Sequence, residues 1–272
     1  MKLSAFKKLG SALLSSAMLL SLAACDKESD VSSGTSGAET TSGTTSSASE
    51  NNIYAYSSLL ACLENAEMKI TKYDWMNLGY DDSNWLFPKE NIPCALADLT
   101  GDGIEELLVL EYKENLSAKL EVYSYNETAK DSTVILTVDD LNMQAEAARG
   151  MVIGTTKDGN LVIVDCPRTE SEYMTSVVYT FNGTELLPTE SAVLFISFND
   201  DYSESYINYK VNDNGVTPEE FSEKRDSIIN SMDQLLQYAF VNGDQLKAKV
   251  SGMTSKAMSY DAMHEYLKGK IK

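Results

Sequence analysis

What most limits the folds open to this chain is a succession of short apolar segments between residues 92 and 216, each closed by a turn signal. Residues 92–97 and 105–111 flank an acidic, glycine-rich stretch, and the second of them is nearly continuous in Leu and Val, which marks a central strand. Residues 119–126 alternate apolar and polar side chains, and 134–138 follow with Val, Ile, Leu and Val. Segments 151–156 and 161–166 flank Lys157-Asp158-Gly159-Asn160, a hairpin signal. Segments 177–181 and 184–187 flank Asn182-Gly183, which suits a two-residue type I′ turn because both residues tolerate positive φ. Residues 192–198 and 206–211 complete the set, the last turning at Asp213-Asn214-Gly215. So many short strands joined by tight turns predict an antiparallel meander.

Helical patterns stand on either side of the strands. Over residues 53–70, Ile53, Tyr56, Leu59, Leu60, Leu63, Ala66 and Ile70 recur at helix spacing, with Glu64, Glu67 and Lys69 on the other side. Thr217-Pro218-Glu219-Glu220 is a capping box with Pro at the first helical position. The spacing of Phe221, Ile228, Ile229, Met232, Leu235, Leu236, Ala239 and Phe240 then predicts one helix ending near Asn242-Gly243. A shorter helix over 260–270 is capped by Ser259 and anchored by Met263 and Leu267. The expected fold class is α+β: an antiparallel β-meander sheet with an N-terminal helix and C-terminal helices packed against it.

The N-terminus reads as a signal peptide over residues 1–24. Lys2, Lys7 and Lys8 give a basic start, residues 9–22 are apolar and too short to span a bilayer, and Leu22-Ala23-Ala24-Cys25 follows. That order resembles the lipobox of bacterial lipoproteins. The resemblance implies cleavage before Cys25, lipidation of Cys25 as the new N-terminus, and a membrane partner through that anchor on the extracytoplasmic face. Residues 26–52 are dominated by Ser, Thr, Gly and Ala and carry too little apolar surface to offset their ordering entropy, so 25–52 is expected to be a tether. Residues 53–272 are expected to form a single extracellular domain, helix plus sheet over 53–216 and helical over 217–272.

The chain carries 41 acidic and 22 basic residues, a net charge of −19. A field of that sign excludes nucleic acid as a partner and repels anionic lipid headgroups. Apart from Cys25 there are three cysteines, Cys62, Cys94 and Cys166. An odd, widely spaced set without Cys-x-x-Cys is neither a disulfide framework nor a zinc site, although one pair among them has the option of bridging.

The sharpest chemical signal is Asp98-Leu99-Thr100-Gly101-Asp102-Gly103-Ile104-Glu105-Glu106. Oxygen-bearing side chains fall at its positions 1, 3, 5 and 9, with Gly103 at position 6, where a sharp turn needs a residue without Cβ. An EF-hand would require Glu at position 12, which here is Val109. Two readings remain: a Ca²⁺ loop, or a metal-free turn in which Asp98 and Asp102 accept backbone N–H bonds. With its flanks, residues 95–109, the stretch resembles the core of an FG-GAP or VCBS repeat. That resemblance implies a Ca²⁺ site with side-chain oxygens from Asp98, Thr100, Asp102 and Glu106 and the carbonyl of Ile104. Thr100 departs from the Asp or Asn usual at its position. One copy covers about fifteen residues, far short of the four to eight blades of a propeller. The whole arrangement is similar to uncharacterised surface lipoproteins of Firmicutes.

No catalytic constellation stands out. The chain holds one histidine, His264, beside Glu265, and no nucleophile elbow, P-loop or dinucleotide fingerprint. Carboxylate pairs occur at Asp139-Asp140, Asp200-Asp201 and Glu219-Glu220, as expected in so acidic a chain. Trp75 and Trp85 share residues 72–90 with Tyr73, Tyr80 and Phe87. Such aromatics either pack a long connection onto the core or form a carbohydrate-binding platform. The expected function is a lipid-anchored, non-enzymatic module that binds carbohydrate or another envelope partner. The competing readings are a carbohydrate-active or other hydrolytic lipoprotein using paired carboxylates, and a solute-binding lipoprotein. The latter needs repeated β-α-β units that the strand-only middle lacks.

Overall fold

A computed structural model describes residues 45–67, 93–112, 117–142, 151–165, 173–199, 205–239, 241 and 244–272. In chain order these form α1 (Thr45–Glu67), β1 (Cys94–Ala97), β2 (Glu106–Tyr112), β3 (Ser117–Asn126), β4 (Asp131–Asn142), β5 (Met151–Thr156) and β6 (Leu161–Asp165). There follow β7 (Tyr173–Phe181), β8 (Leu186–Phe198), β9 (Ser205–Val211), β10 (Asn214–Gly215), α2 (Pro218–Ser231), β11 (Met232–Ala239), α3 (Asp244–Ser251) and α4 (Tyr260–Ile271). Cys25, Trp75, Trp85, Cys166, Asp200-Asp201 and Asn242-Gly243 lie outside the described residues.

The fold is α+β, as expected, with two antiparallel sheets. One has the order β1-β2-β3-β4 and the other β10-β9-β8-β7-β6-β5-β11. Their facing sides share a core in which Leu108, Leu110 and Leu120 of the first sheet meet Met151, Ile153 and Leu161 of the second. The outer side of the first sheet is covered by α1 and α4: Leu59, Leu63, Met263 and Leu267 pack on Leu107 and Val109. The outer side of the second is covered by α2 and α3: Phe221, Ile228, Leu246 and Val250 pack on Val152, Val162 and Val178. Two-sided burial explains the unbroken apolar run in β2, since a strand covered on both faces has no reason to alternate.

The capping signals hold. The Thr217 hydroxyl accepts from Glu220 N at 3.3 Å, and the Glu220 carboxylate accepts from Thr217 N at 2.9 Å. Ser259 accepts from Ala262 N at 3.2 Å, and Met263 and Leu267 of the helix it opens are fully buried.

Segments 184–187 and 192–198, expected as two strands, form the single strand β8, whose polar middle Pro188-Thr189-Glu190-Ser191 is carried through by pairing with β7. Three further local expectations are corrected. First, α1 begins at Thr45, within the stretch read as tether, and its buried stripe is Ala55, Tyr56, Leu59, Leu63 and Ala66, leaving Ile53 exposed. Second, Asn182-Gly183 does not make a two-residue turn. Phe181 pairs with Leu186, so four residues intervene, and the Asn182 side chain accepts from Thr184 N and Glu185 N, both at 2.9 Å. The two-residue turn is instead Asn212-Asp213, where φ is +47° and +64°. Third, the helix expected from Pro218 onward stops at Ser231, and Met232–Ala239 is β11, paired antiparallel with β5. The pairing shifts register between Met232 and Gln234 and again between Leu235 and Gln237. Each bulge adds a residue, so a strand with period two shows apolar positions 232, 235, 236 and 239, which is helix spacing. Met232 and Leu235 face the helices, and Leu236 and Ala239 face the other sheet.

Candidate functional site

The acidic loop connects β1 to β2, whose pairing closes at Ala97 opposite Glu106. Between them the chain reverses through Gly101 and Gly103, at φ +78° and +86°, a region L side chains rarely adopt. Asp98 organises the first half: Oδ1 accepts from Gly101 N at 2.7 Å and Oδ2 from Gly103 N at 3.1 Å. Asp102 organises the second, its Oδ1 accepting from Ile104 N at 2.7 Å. Two apolar side chains pin the loop from below, Leu99 in the core between the sheets and Ile104 against Ala55 and Tyr125. Gly159, in the β5–β6 turn, lies against the loop so closely that a Cβ would sit 3.1 Å from the Asp98 carbonyl.

Glu106 sits underneath, 1 % exposed. Its Oε2 accepts from Leu99 N at 2.7 Å and Thr100 N at 3.2 Å, while Oε1 accepts from the hydroxyls of Ser124 at 3.0 Å and Thr100 at 3.3 Å. Burial pushes its carboxyl up to about 7 despite the bonds from Leu99 and Ser124, and the charges of Asp102 and Asp98 push the same way. The neighbouring Glu105 accepts from the Tyr56 hydroxyl at 3.4 Å, and Lys270 stands 5.2 Å and 5.1 Å from the Tyr56 and Tyr266 ring centroids. These contacts tie the loop to α1 and α4.

The loop therefore brings together Asp98, Thr100, Asp102 and Glu106, the four residues picked out by spacing, and Ile104, which the resemblance implies. In the arrangement described, the carboxylates of Asp98, Asp102 and Glu106 accept from backbone N–H groups and the Thr100 hydroxyl of the same turn and from the Ser124 hydroxyl of β3. Among the described residues no group of three or more His, Cys, Asp or Glu side chains is gathered to hold a metal ion. Ser124 and Tyr56 were not visible as partners in the sequence. The one signal for Ser124 is a serine on the face of β3 otherwise formed by Ala118, Leu120 and Val122.

Glu220 is taken up by the α2 cap, and Asp139 lies exposed on β4. His264 bridges helices, its Nε2 3.0 Å from Glu64 of α1 and its ring stacked on Tyr260. Cys62 and Cys94 carry free thiols, and burial pushes the Cys94 thiol up to about 12. Among the described residues no helix is long and apolar enough to cross a membrane. Comparison with protein-family models, with curated proteins and with solved structures finds no match for this chain.

Proposed function

We propose that the chain is a lipid-anchored, extracytoplasmic binding module, non-enzymatic, whose 98–106 loop takes up Ca²⁺ weakly to hold the domain in shape. The observation that carries the location is the order of basic start, apolar run and Leu22-Ala23-Ala24-Cys25. For the ion, the support is chemical. Asp98, Thr100, Asp102, the Ile104 carbonyl and Glu106 offer only oxygens, as a hard cation prefers. Burial raises the Glu106 carboxyl and the charges of Asp102 and Asp98 add to that rise, a repulsion that a bound cation relieves. Asp98, Asp102 and Glu106 already hold the turn through hydrogen bonds, so Ca²⁺ competes with those bonds, which keeps its affinity low.

The test is thermal unfolding of the full chain in EDTA and in millimolar Ca²⁺, beside Asp102→Asn. That variant keeps the Oδ1 acceptor for Ile104 N and removes the charge. With a dissociation constant of about 10⁻⁴ M, 1 mM Ca²⁺ adds ~1.4 kcal/mol by mass action. The expected result is a rise in Tm with Ca²⁺ that shrinks in Asp102→Asn. An identical Tm with and without Ca²⁺ removes the ion from the proposal. Mass spectrometry of the processed N-terminus checks the anchor; an unmodified Cys25 removes it.

A further inference from the structure

At the far end of the second sheet, β9 is half an edge strand. β10 pairs only with Val211 and Lys210, and beyond them Val216 N donates to the Tyr209 carbonyl at 3.1 Å. In the antiparallel ladder with β8, backbone groups turn alternately inward and outward. The outward residues are therefore Tyr209 and Val211, already engaged, followed by Ile207 and Ser205. Among the described residues no strand lies beyond those two. Ile207 is 55 % exposed and Tyr206 52 %. Along this edge runs an open groove of about 420 Å³ between β9 and the first turn of α2, lined by Phe195, Ile207, Tyr209, Lys210, Val216 and Glu220.

The groove has two chemically different sides. On one, Tyr209 packs with Val216 and Phe221, the Tyr209 and Phe221 rings 5.3 Å apart, and Ile207, two residues earlier in the strand, stands on the same face. On the other, Lys210 lies over the Phe195 ring at 5.3 Å and forms no ion pair among the described residues. Glu220, the acid lining the groove, is occupied by the Thr217 cap. We propose that this edge takes up an extended peptide in which carboxylate and apolar side chains alternate. Backbone pairing to Ile207 and Ser205 adds a strand to the sheet. Strand alternation then directs carboxylates to Lys210 and apolar side chains to the Ile207 and Tyr209 side. The net charge of −19 opposes an acidic strand at long range, so recognition depends on these short-range groups.

The inference rests on the reading of the chain as a binding module and names the class of partner. The experiment pans a displayed library of random twelve-residue peptides on the full chain. Enriched peptides are then titrated by fluorescence anisotropy against the wild type, Lys210→Glu and Ile207→Pro. An edge strand tolerates Pro where the N–H points outward, and a thermal melt of each variant confirms that it is folded. The expected result is enrichment of alternating acidic and apolar peptides, with affinity reduced tenfold or more in both variants. Lys210→Glu should also move selection toward Lys and Arg. No enrichment, or enriched peptides that bind the folded variants as well as the wild type, overturns the proposal. So does a concentration-dependent dimer lost in Ile207→Pro, which would assign the edge to a second copy of this chain. None of these outcomes alters Cys25 lipidation or the Ca²⁺ response, so the two proposals fail separately.

Discussion

Glu106 shows how one side chain can organise a loop and set its pH response. It accepts from two backbone N–H groups and two hydroxyls while almost wholly out of water. Truncation to Ala leaves Leu99 N without that acceptor in a buried place, which costs about 1–3 kcal/mol for each such group. Gln keeps an acceptor for the N–H groups, and the two hydroxyls can rotate to accept from its amide. The pH dependence follows from the raised carboxyl. Between about 4.5 and about 7 the folded state holds a proton on Glu106 that the unfolded state has released. Stability from this group therefore falls as pH rises through that window and is recovered as pH falls. The Tm of Glu106→Gln, measured in EDTA from pH 4.5 to 7.5, should lack this component of the wild-type slope, while Glu106→Ala should be destabilised throughout. A Gln variant with the wild-type slope would place the titration on another group.

At the scale of the element, β11 separates what periodicity reveals from what it hides. Strands β1–β7 and β9, the Thr217 capping box, the Ser259 cap and the 98–106 turn were legible because each depends on nearby residues: alternation, a Ser or Thr three places before its partner, glycines at positive φ. The middle of β8 was not, because the polar stretch Pro188-Thr189-Glu190-Ser191 breaks its apolar pattern while pairing with β7 carries the strand through. The strand Met232–Ala239 was not legible, because its two bulges are imposed by pairing with β5, more than seventy-five residues earlier in the chain. The local mark of that pairing is Gly154 in β5. A Cβ there would lie 2.4 Å from the Gln234 carbonyl and 2.6 Å from the Met232 side chain, so the bulged strand passes over a residue that must have none. Gly154→Ala should cost roughly 1–3 kcal/mol as overpacking. Gly269 in α4 makes the contrast, with nothing within 4 Å of its Cβ position. Gly269→Ala should stabilise by up to about 1 kcal/mol through helix propensity. Chemical denaturation of the two variants checks both signs at once, and a neutral Gly154→Ala would mean that β11 moves freely on β5.

At the scale of the whole molecule, composition and architecture act against each other. Four layers bury both faces of both sheets, so apolar contact is extensive and the fold is held from inside. The surface carries the opposing term. With 41 acids against 22 bases, charge pressed onto a compact body repels itself more than charge spread along an unfolded chain. The count was readable from the sequence, whereas the pairing of two sheets was not, since alternation says which face is apolar but not what covers it. With 22 bases for 41 acids, at least 19 acids have no base of their own to pair with; Lys224 with Glu190 and Lys119 with Glu121 are pairs that do form. Salt should therefore stabilise the protein. The Debye length shrinks from about 30 Å at 0.01 M to about 3 Å at 1 M, which screens repulsion across the surface and leaves buried contacts untouched. The expected outcome is a Tm that climbs steadily as NaCl is raised from 0.01 to 0.5 M in EDTA. Glu106→Gln should climb in parallel, since its buried site is shielded from the solvent ions. A flat or falling Tm would mean that favourable ion pairs, not repulsion, dominate this surface.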